Sequence, residues 1–236
     1  EEELLAGLQA MHFRETTPIQ EQTIPVILDG RDMIACAQTG TGKTAAYLLP
    51  ILNVLCQGKH REDKTNALVM VPTRELAQQI DQQVEAFAYF LPVSSVAVYG
   101  GGDGSLFGQQ DRALRGGVDI AIATPGRLIA PLNMGKIDLS HVQFFVLDEA
   151  DRMLEMGFVE DIMRIASYLP KKKQTLLFSA TMPPKIQELA RKVLINPVEV
   201  KLSVSKPAEK IKQGAYVLYE AQKLPLISSL FAAHQP

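Results

Sequence analysis

A chain of 236 residues, 47% hydrophobic and 21% charged, buries roughly 70% of the surface its unfolded form exposes, so it needs no metal or disulfide staple to fold. Its net charge of −2 at pH 7 excludes a protein that coats nucleic acid by bulk electrostatics, so any nucleic-acid site has to be built locally from motifs. Cys36 and Cys56 stand in apolar surroundings without a C-x-x-C or Cys/His spacing, which argues against a zinc or redox pair and predicts buried thiols in a reducing compartment.

The chain opens on Glu1, Glu2 and Glu3 without an initiating Met; no signal peptide is expected, and the sequence reads as a piece trimmed at both ends. Short apolar or β-branched runs follow at 33–37, 67–71, 95–99, 118–123, 144–147 and 175–178, and helical periodicity fills segments such as 74–90 and 184–193. Strands this short, alternating with helices, require crossover connections. They predict an α/β fold with a doubly wound parallel sheet, helices on both faces and ligands at the carboxyl ends of the strands. The apolar run 45–52 is far shorter than the ~20 residues of a bilayer span and contains Pro50, so no membrane segment and no membrane partner is expected. Beyond Val200 the polar stretch with Lys201, Lys206, Lys210 and Lys212 around Pro207 reads as a linker. The expected organisation is one domain over 1–202, a linker over 203–213 and the start of a second domain over 214–236, with a strand at 215–219 and a helix at 224–233.

The first strand runs into Ala37, Gln38, Thr39, Gly40, Thr41, Gly42, Lys43 and Thr44, followed by a helical pattern. This is the strand, glycine-rich loop and helix order of a P-loop. Glycines let successive N–H groups turn inward around phosphates, and the helix N-terminus adds partial positive charge at the same point. Lys43 is placed to reach the β and γ phosphates, and the Thr44 hydroxyl suits Mg²⁺. Ala37 stands where the general pattern has Gly; a plain glycine-rich turn is the alternative reading.

The run 144–147 ends in Asp148, Glu149, Ala150 and Asp151, which puts carboxylates at a strand's carboxyl end. In phosphoryl transfer an Asp there holds hydrated Mg²⁺, and a neighbouring carboxylate orients the attacking water. Asp148 and Glu149 are assigned these roles, with Lys43 as the third catalytic residue. The alternative is an acidic helix start favoured by the helix dipole.

The tetrapeptide Asp148-Glu149-Ala150-Asp151 names a family, and the chain resembles the N-terminal RecA-like half of DEAD-box ATP-dependent RNA helicases, bacterial in type, over nearly its whole length. The resemblance implies ATP and Mg²⁺ as cofactors, RNA as a partner, a second RecA-like half in cis, a monomer and a cytoplasmic location. The segment F-R-E-T-T-P-I-Q over 13–20 is similar to the family's adenine motif, with Gln20 reading the base; His12 and Thr16 replace the usual Gly and Pro. Pro72, Thr73 and Arg74, then Gly100 and Gly101, then Thr124, Pro125, Gly126 and Arg127 resemble the RNA-contact motifs. N–H groups at helix starts and forked Arg donors suit phosphate contacts, so RNA binding is expected to be independent of sequence and sensitive to salt. Ser179 and Thr181 resemble the motif that couples nucleotide state to strand separation, through Asp151. An arginine finger from the second half is typically worth about 10³ to 10⁵ in rate, so this piece is expected to bind nucleotide and hydrolyse it slowly. An ATP-gated RNA clamp without productive unwinding would use the same residues; a DNA translocase matches them poorly.

Overall fold

The computed structural model describes residues 2–58, 60–102, 104–202 and 214–234. Two helices, α1 (Glu2–Ala10) and α2 (Pro18–Leu28), lead into β1 (Met33–Cys36) and α3 (Lys43–Cys56). The next units are β2 (Ala67–Met70) with α4 (Arg74–Phe87), β3 (Ser95–Val98) with α5 (Gly104–Gly116), and β4 (Ile120–Ala123) with α6 (Pro125–Asn133). Strand β5 (Phe144–Leu147) is followed by α7 (Ala150–Glu155) and α8 (Val159–Tyr168), then β6 (Gln174–Ser179), α9 (Pro184–Val193) and β7 (Val198–Lys201). The chain divides into two units, 1–203 and 204–236. The second contains α10 (Lys223–His234).

The seven strands form one sheet in the order β3-β4-β2-β5-β6-β1-β7, and every pairing is parallel. Strand residues alternate between two cores, one on each face. Ala67, Val69, Phe144 and Val146 join the cluster under α3 and α4, whereas Leu68, Met70, Phe145 and Leu147 join the cluster under α6, α8 and α9. A strand covered on both sides reads as a near-continuous apolar run, and β2, β4, β5 and β6 are buried throughout, with polar residues only towards the ends of β6 at Gln174, Thr175 and Ser179. The RecA-like doubly wound architecture expected from the sequence is therefore the observed one.

Three details depart from the sequence reading. Residues 198–201 form β7, paired with β1 from Met33↔Val198 to Cys36↔Lys201; as an edge strand alternating exposed and covered positions, V-E-V-K lacks the apolar run that marks its neighbours. Residues 214–219 form no strand, because a strand exists through its ladder to a neighbour and none among the described residues supplies one. The expected linker 203–213 lies outside the described residues. Both cysteines are half-buried rather than fully enclosed. Buried Asp32 stitches the far side of the sheet: its carboxylate accepts from Thr175 N at 2.8 Å and Ile195 N at 2.7 Å, and its carbonyl accepts from Val198 N at 2.9 Å.

Candidate functional site

Strand order decides which motifs meet. β5, β6 and β1 are neighbours, so the loops after them share one stretch of the sheet's carboxyl edge: the P-loop after β1, the acidic tetrapeptide after β5, and Ser179, Ala180 and Thr181 at the end of β6. Ala37 N donates to Ser179 O at 3.0 Å, which continues the β1–β6 ladder into the P-loop.

Within the loop Gly40 and Gly42 adopt φ of +78° and +89°, a region that side-chain-bearing residues avoid. Gly42 is also sterically required, since a Cβ there would lie 2.6 Å from Gln20 Nε2 and 3.2 Å from Thr17 Oγ1. Lys43, the first residue of α3, is buried, and its Nζ donates to Ala37 O at 2.6 Å. The ammonium thus spans the loop, with donors remaining for an anion beyond that one bond.

Asp148 is held from two sides. Tyr47 Oη donates to Oδ2 at 3.0 Å, and Glu149 N donates to Oδ1 at 2.9 Å. Burial pushes its carboxyl up to about 6, against the opposing pull of the Tyr47 hydroxyl and the Lys43 charge. The same burial, with the Asp148 charge beside it, holds the Tyr47 phenol well above its ordinary range. Glu149 has φ of +50°, an uncommon conformation for a residue with a side chain and one that concentrates at functional sites. Its carboxylate lies 3.4 Å from Arg152 Nη1.

Asp151 closes the link to β6. Its Oδ2 accepts from Thr181 N at 2.9 Å and Thr181 Oγ1 at 2.8 Å, and its own N–H donates to Ser179 Oγ at 3.3 Å. Partial burial pushes this carboxyl up, but the Thr181 and Ser179 bonds outweigh it and hold the group below its ordinary value.

A cleft of about 580 Å³ is lined by Phe13, Thr17, Gln20, the P-loop, Asp148 and Glu149, with Leu76 and Phe87 of α4. Gln20 is 3% exposed and doubly engaged. Its Oε1 accepts from Thr17 N at 3.0 Å, and its Nε2 donates to Gly42 O at 3.1 Å. The carboxamide therefore caps α2 and clasps the P-loop, leaving one donor and one acceptor position for a base. Thr17 Oγ1, buried in the same cleft, has no partner among the described residues. Phe13 meets Phe87 edge to face at 5.5 Å, giving the cleft an aromatic wall. An apolar wall, an unpartnered hydroxyl, inward-turning glycines with a lysine, and a buried carboxylate fit the base, phosphates and magnesium of a nucleotide in kind.

The other motifs follow β2, β3 and β4, which are neighbours on the opposite half of the sheet. Thr73 caps α4, its Oγ1 accepting from Leu76 N at 3.3 Å. Pro72 immediately precedes it. Arg74 Nη1 lies 3.5 Å from where a Cβ on Gly101 would stand, so the segments after β2 and β3 touch; Gly100 is open. Thr124, Pro125 and Gly126 begin α6. Arg127 departs from the expected outward fork. It donates to Asp111 Oδ1 at 2.7 Å and Phe107 O at 3.4 Å, and its guanidinium lies 4.8 Å above the Phe107 ring. At 12% side-chain exposure it is largely enclosed, and through Nη2 it holds α5 against α6.

The sequence profile of DEAD/DEAH box helicases matches residues 17–189. The chain belongs to that family. It is 40% identical over its whole length to the ATP-dependent RNA helicase CshA of Listeria monocytogenes, of which it covers 44%. Over 85% of its length it is 44% identical to the human ATP-dependent RNA helicase DDX42, of which it covers 21%. A Sulfolobus tokodaii structure described as a hypothetical ATP-dependent RNA helicase superposes with a TM-score of 0.77 at 36% identity, covering 86% of this chain and 57% of that one. The chain thus spans about half or less of the curated relatives' length. Around this site, sequence reasoning missed Tyr47 and Phe87, and it gave Thr17 and Leu76 no place in the cleft although both stand in the motif segments it read. Tyr47 was detectable, because it stands one helical turn after Lys43 and so shares its face of α3.

Proposed function

We propose that this chain is the nucleotide-binding half of an ATP-dependent RNA helicase. The observation that carries the reading is the convergence at adjacent strand ends of Lys43, buried Asp148 and the Asp151–Thr181–Ser179 cluster, beside a cleft whose residues match a nucleotide in kind.

Lys43 and the loop N–H groups hold the phosphates of ATP, and Gln20 and Thr17 meet the base. Asp148 and the Thr44 hydroxyl hold magnesium, partly through water; bound there, the ion supplies charge neutralisation at the phosphates. Glu149, set at the mouth of the carboxyl edge by its left-handed backbone, orients the attacking water and accepts its proton. Asp151 takes hydrogen bonds from Thr181, so a shift of the acidic loop is felt at β6, which is how nucleotide state reaches the rest of the fold. Thr73, Arg74, Gly100, Gly101 and Thr124 to Gly126 face the RNA backbone. Arg127 supports that surface through Asp111. The stimulating arginine belongs to a second half in cis, and the isolated chain hydrolyses ATP slowly.

RNA binding is tested by fluorescence anisotropy of a labelled oligouridylate across a salt series. One lost phosphate contact lowers the log–log salt slope by about 0.7 for a single strand. Arg74→Ala is expected to lower it by that amount and Arg127→Lys to leave it unchanged. Equal binding of an oligothymidylate and no effect of Arg74→Ala would dismiss the RNA assignment.

A further inference from the structure

The edge of the sheet far from β1 contains a second recess. α4 packs on one face of the sheet through Ala77, Ile80, Val84 and Phe87, and α5 packs on the other through Leu114. Between the two helices the edge strand β3 floors a slot of about 450 Å³, lined by Asp81 and Glu85 of α4, Val96 and Ala97 of β3, and Leu106, Gln110 and Ala113 of α5, among others. β3 ends the strand order and, among the described residues, pairs with β4 alone. Ser94 O accepts from Ile120 N and Val98 O from Thr124 N, each at 3.0 Å. Peptide groups of alternate residues face opposite ways along a strand, so Ser95 and Ala97 direct theirs away from β4. An unpaired edge of this kind is a template for a further strand.

The second observation is Gln110. The residue is 2% exposed, yet neither Nε2 nor Oε1 has a partner among the described residues. A buried carboxamide left unsatisfied is costly and calls for a missing partner. An added peptide supplies both an acceptor and a donor. Charge specifies the occupant further. Among the described residues the lining carries Asp81 and Glu85 and no Lys or Arg, and Asp81 is kept in place by the Ser95 hydroxyl. On the α5 side Leu106 and Ala113 offer apolar contact.

We propose that this slot binds an extended segment of a partner protein, about four residues long to match β3, as an eighth strand alternating basic and apolar side chains. The basic side chains face Asp81 and Glu85, and the apolar ones face Leu106 and Ala113. The site lies apart from the nucleotide cleft, so its test does not depend on that reading.

The probe is a fluorescein-labelled hexapeptide of alternating lysine and valine, titrated with the chain by anisotropy beside its glutamate–valine counterpart and a copy N-methylated on alternate amides. The expected result is binding of the lysine peptide alone, weakened about tenfold by Glu85→Lys and abolished by N-methylation. Gln110→Met is expected to raise the melting temperature of the free chain while weakening the peptide. Equal binding of the lysine and glutamate peptides, or of the N-methylated and parent peptides, would overturn strand addition. A dimer in sedimentation velocity that Glu85→Lys dissolves would assign the slot to a second copy of the chain instead.

Discussion

Asp148→Asn is expected to make the protein more stable at neutral pH, although it removes a residue assigned to magnesium. Burial pushes this carboxyl up to about 6 from an ordinary value of 3.8. At about 1.4 kcal/mol per pH unit, ionising it in the folded state costs about 3 kcal/mol relative to the unfolded chain. Between pH 4 and pH 6 the folded protein holds this proton and the unfolded chain releases it, so the carboxyl's contribution to stability falls as pH rises through that window. The Asn variant carries no such penalty. It loses one of the two acceptor oxygens that serve Tyr47 and Glu149 N, a cost of about 1 kcal/mol. The net gain at pH 7.5 is about 2 kcal/mol, or about 4 to 8 °C in melting temperature for a domain of this size. Urea unfolding of both proteins from pH 4.5 to pH 8 reads the difference directly. The gain should shrink as pH falls below 6 and vanish or reverse near pH 4. A variant destabilised by the same amount at every pH would refute the assignment of a strained, ionised Asp148.

Further outcomes follow from other contacts. Gly42→Ala should abolish nucleotide binding and lower stability by about 2 kcal/mol or more, since its φ is +89° and its Cβ would strike Gln20; fluorescence titration with a labelled ADP and thermal melts check both. Gly117→Ala, far from the cleft, puts a Cβ 2.1 Å from the Asp63 backbone at φ of +81° and should cost about 3 kcal/mol or more by urea unfolding. Thr181→Val removes the leading hydrogen bond that holds the Asp151 carboxyl down, so its titration, followed by carboxyl carbon NMR, should move upward; an unchanged titration contradicts the observed Thr181–Asp151 bond.

The legible parts of this protein were those where local chemistry and global position coincide. Strands β2, β4 and β5 are covered on both faces and announce themselves as apolar runs, and the glycine-rich loop ending in Lys43-Thr44 marked the turn from β1 into α3. The edge strand β7 was invisible because an edge needs apolar residues at alternate positions only, and V-E-V-K is too short to show alternation. The strand read at 215–219 had the right composition, but composition does not supply a neighbour. At the candidate site, residue types singled out Lys43 and Asp148 but not their partners, since Tyr47 reaches Asp148 across 101 positions of sequence. Arg127 shows what a motif leaves out: its segment resembles an RNA contact, and the Asp111 carboxylate and Phe107 ring that it meets lie on a different helix.

The most direct test of the central claim is calorimetric titration of the chain with ADP and with GDP, each with Mg²⁺, repeated on Gln20→Ala and Lys43→Ala. ADP should bind more tightly than GDP, Gln20→Ala should remove the preference, and Lys43→Ala should weaken both nucleotides. Equal affinity for ADP and GDP, or wild-type affinity in Lys43→Ala, would contradict an adenine-specific nucleotide site in this cleft.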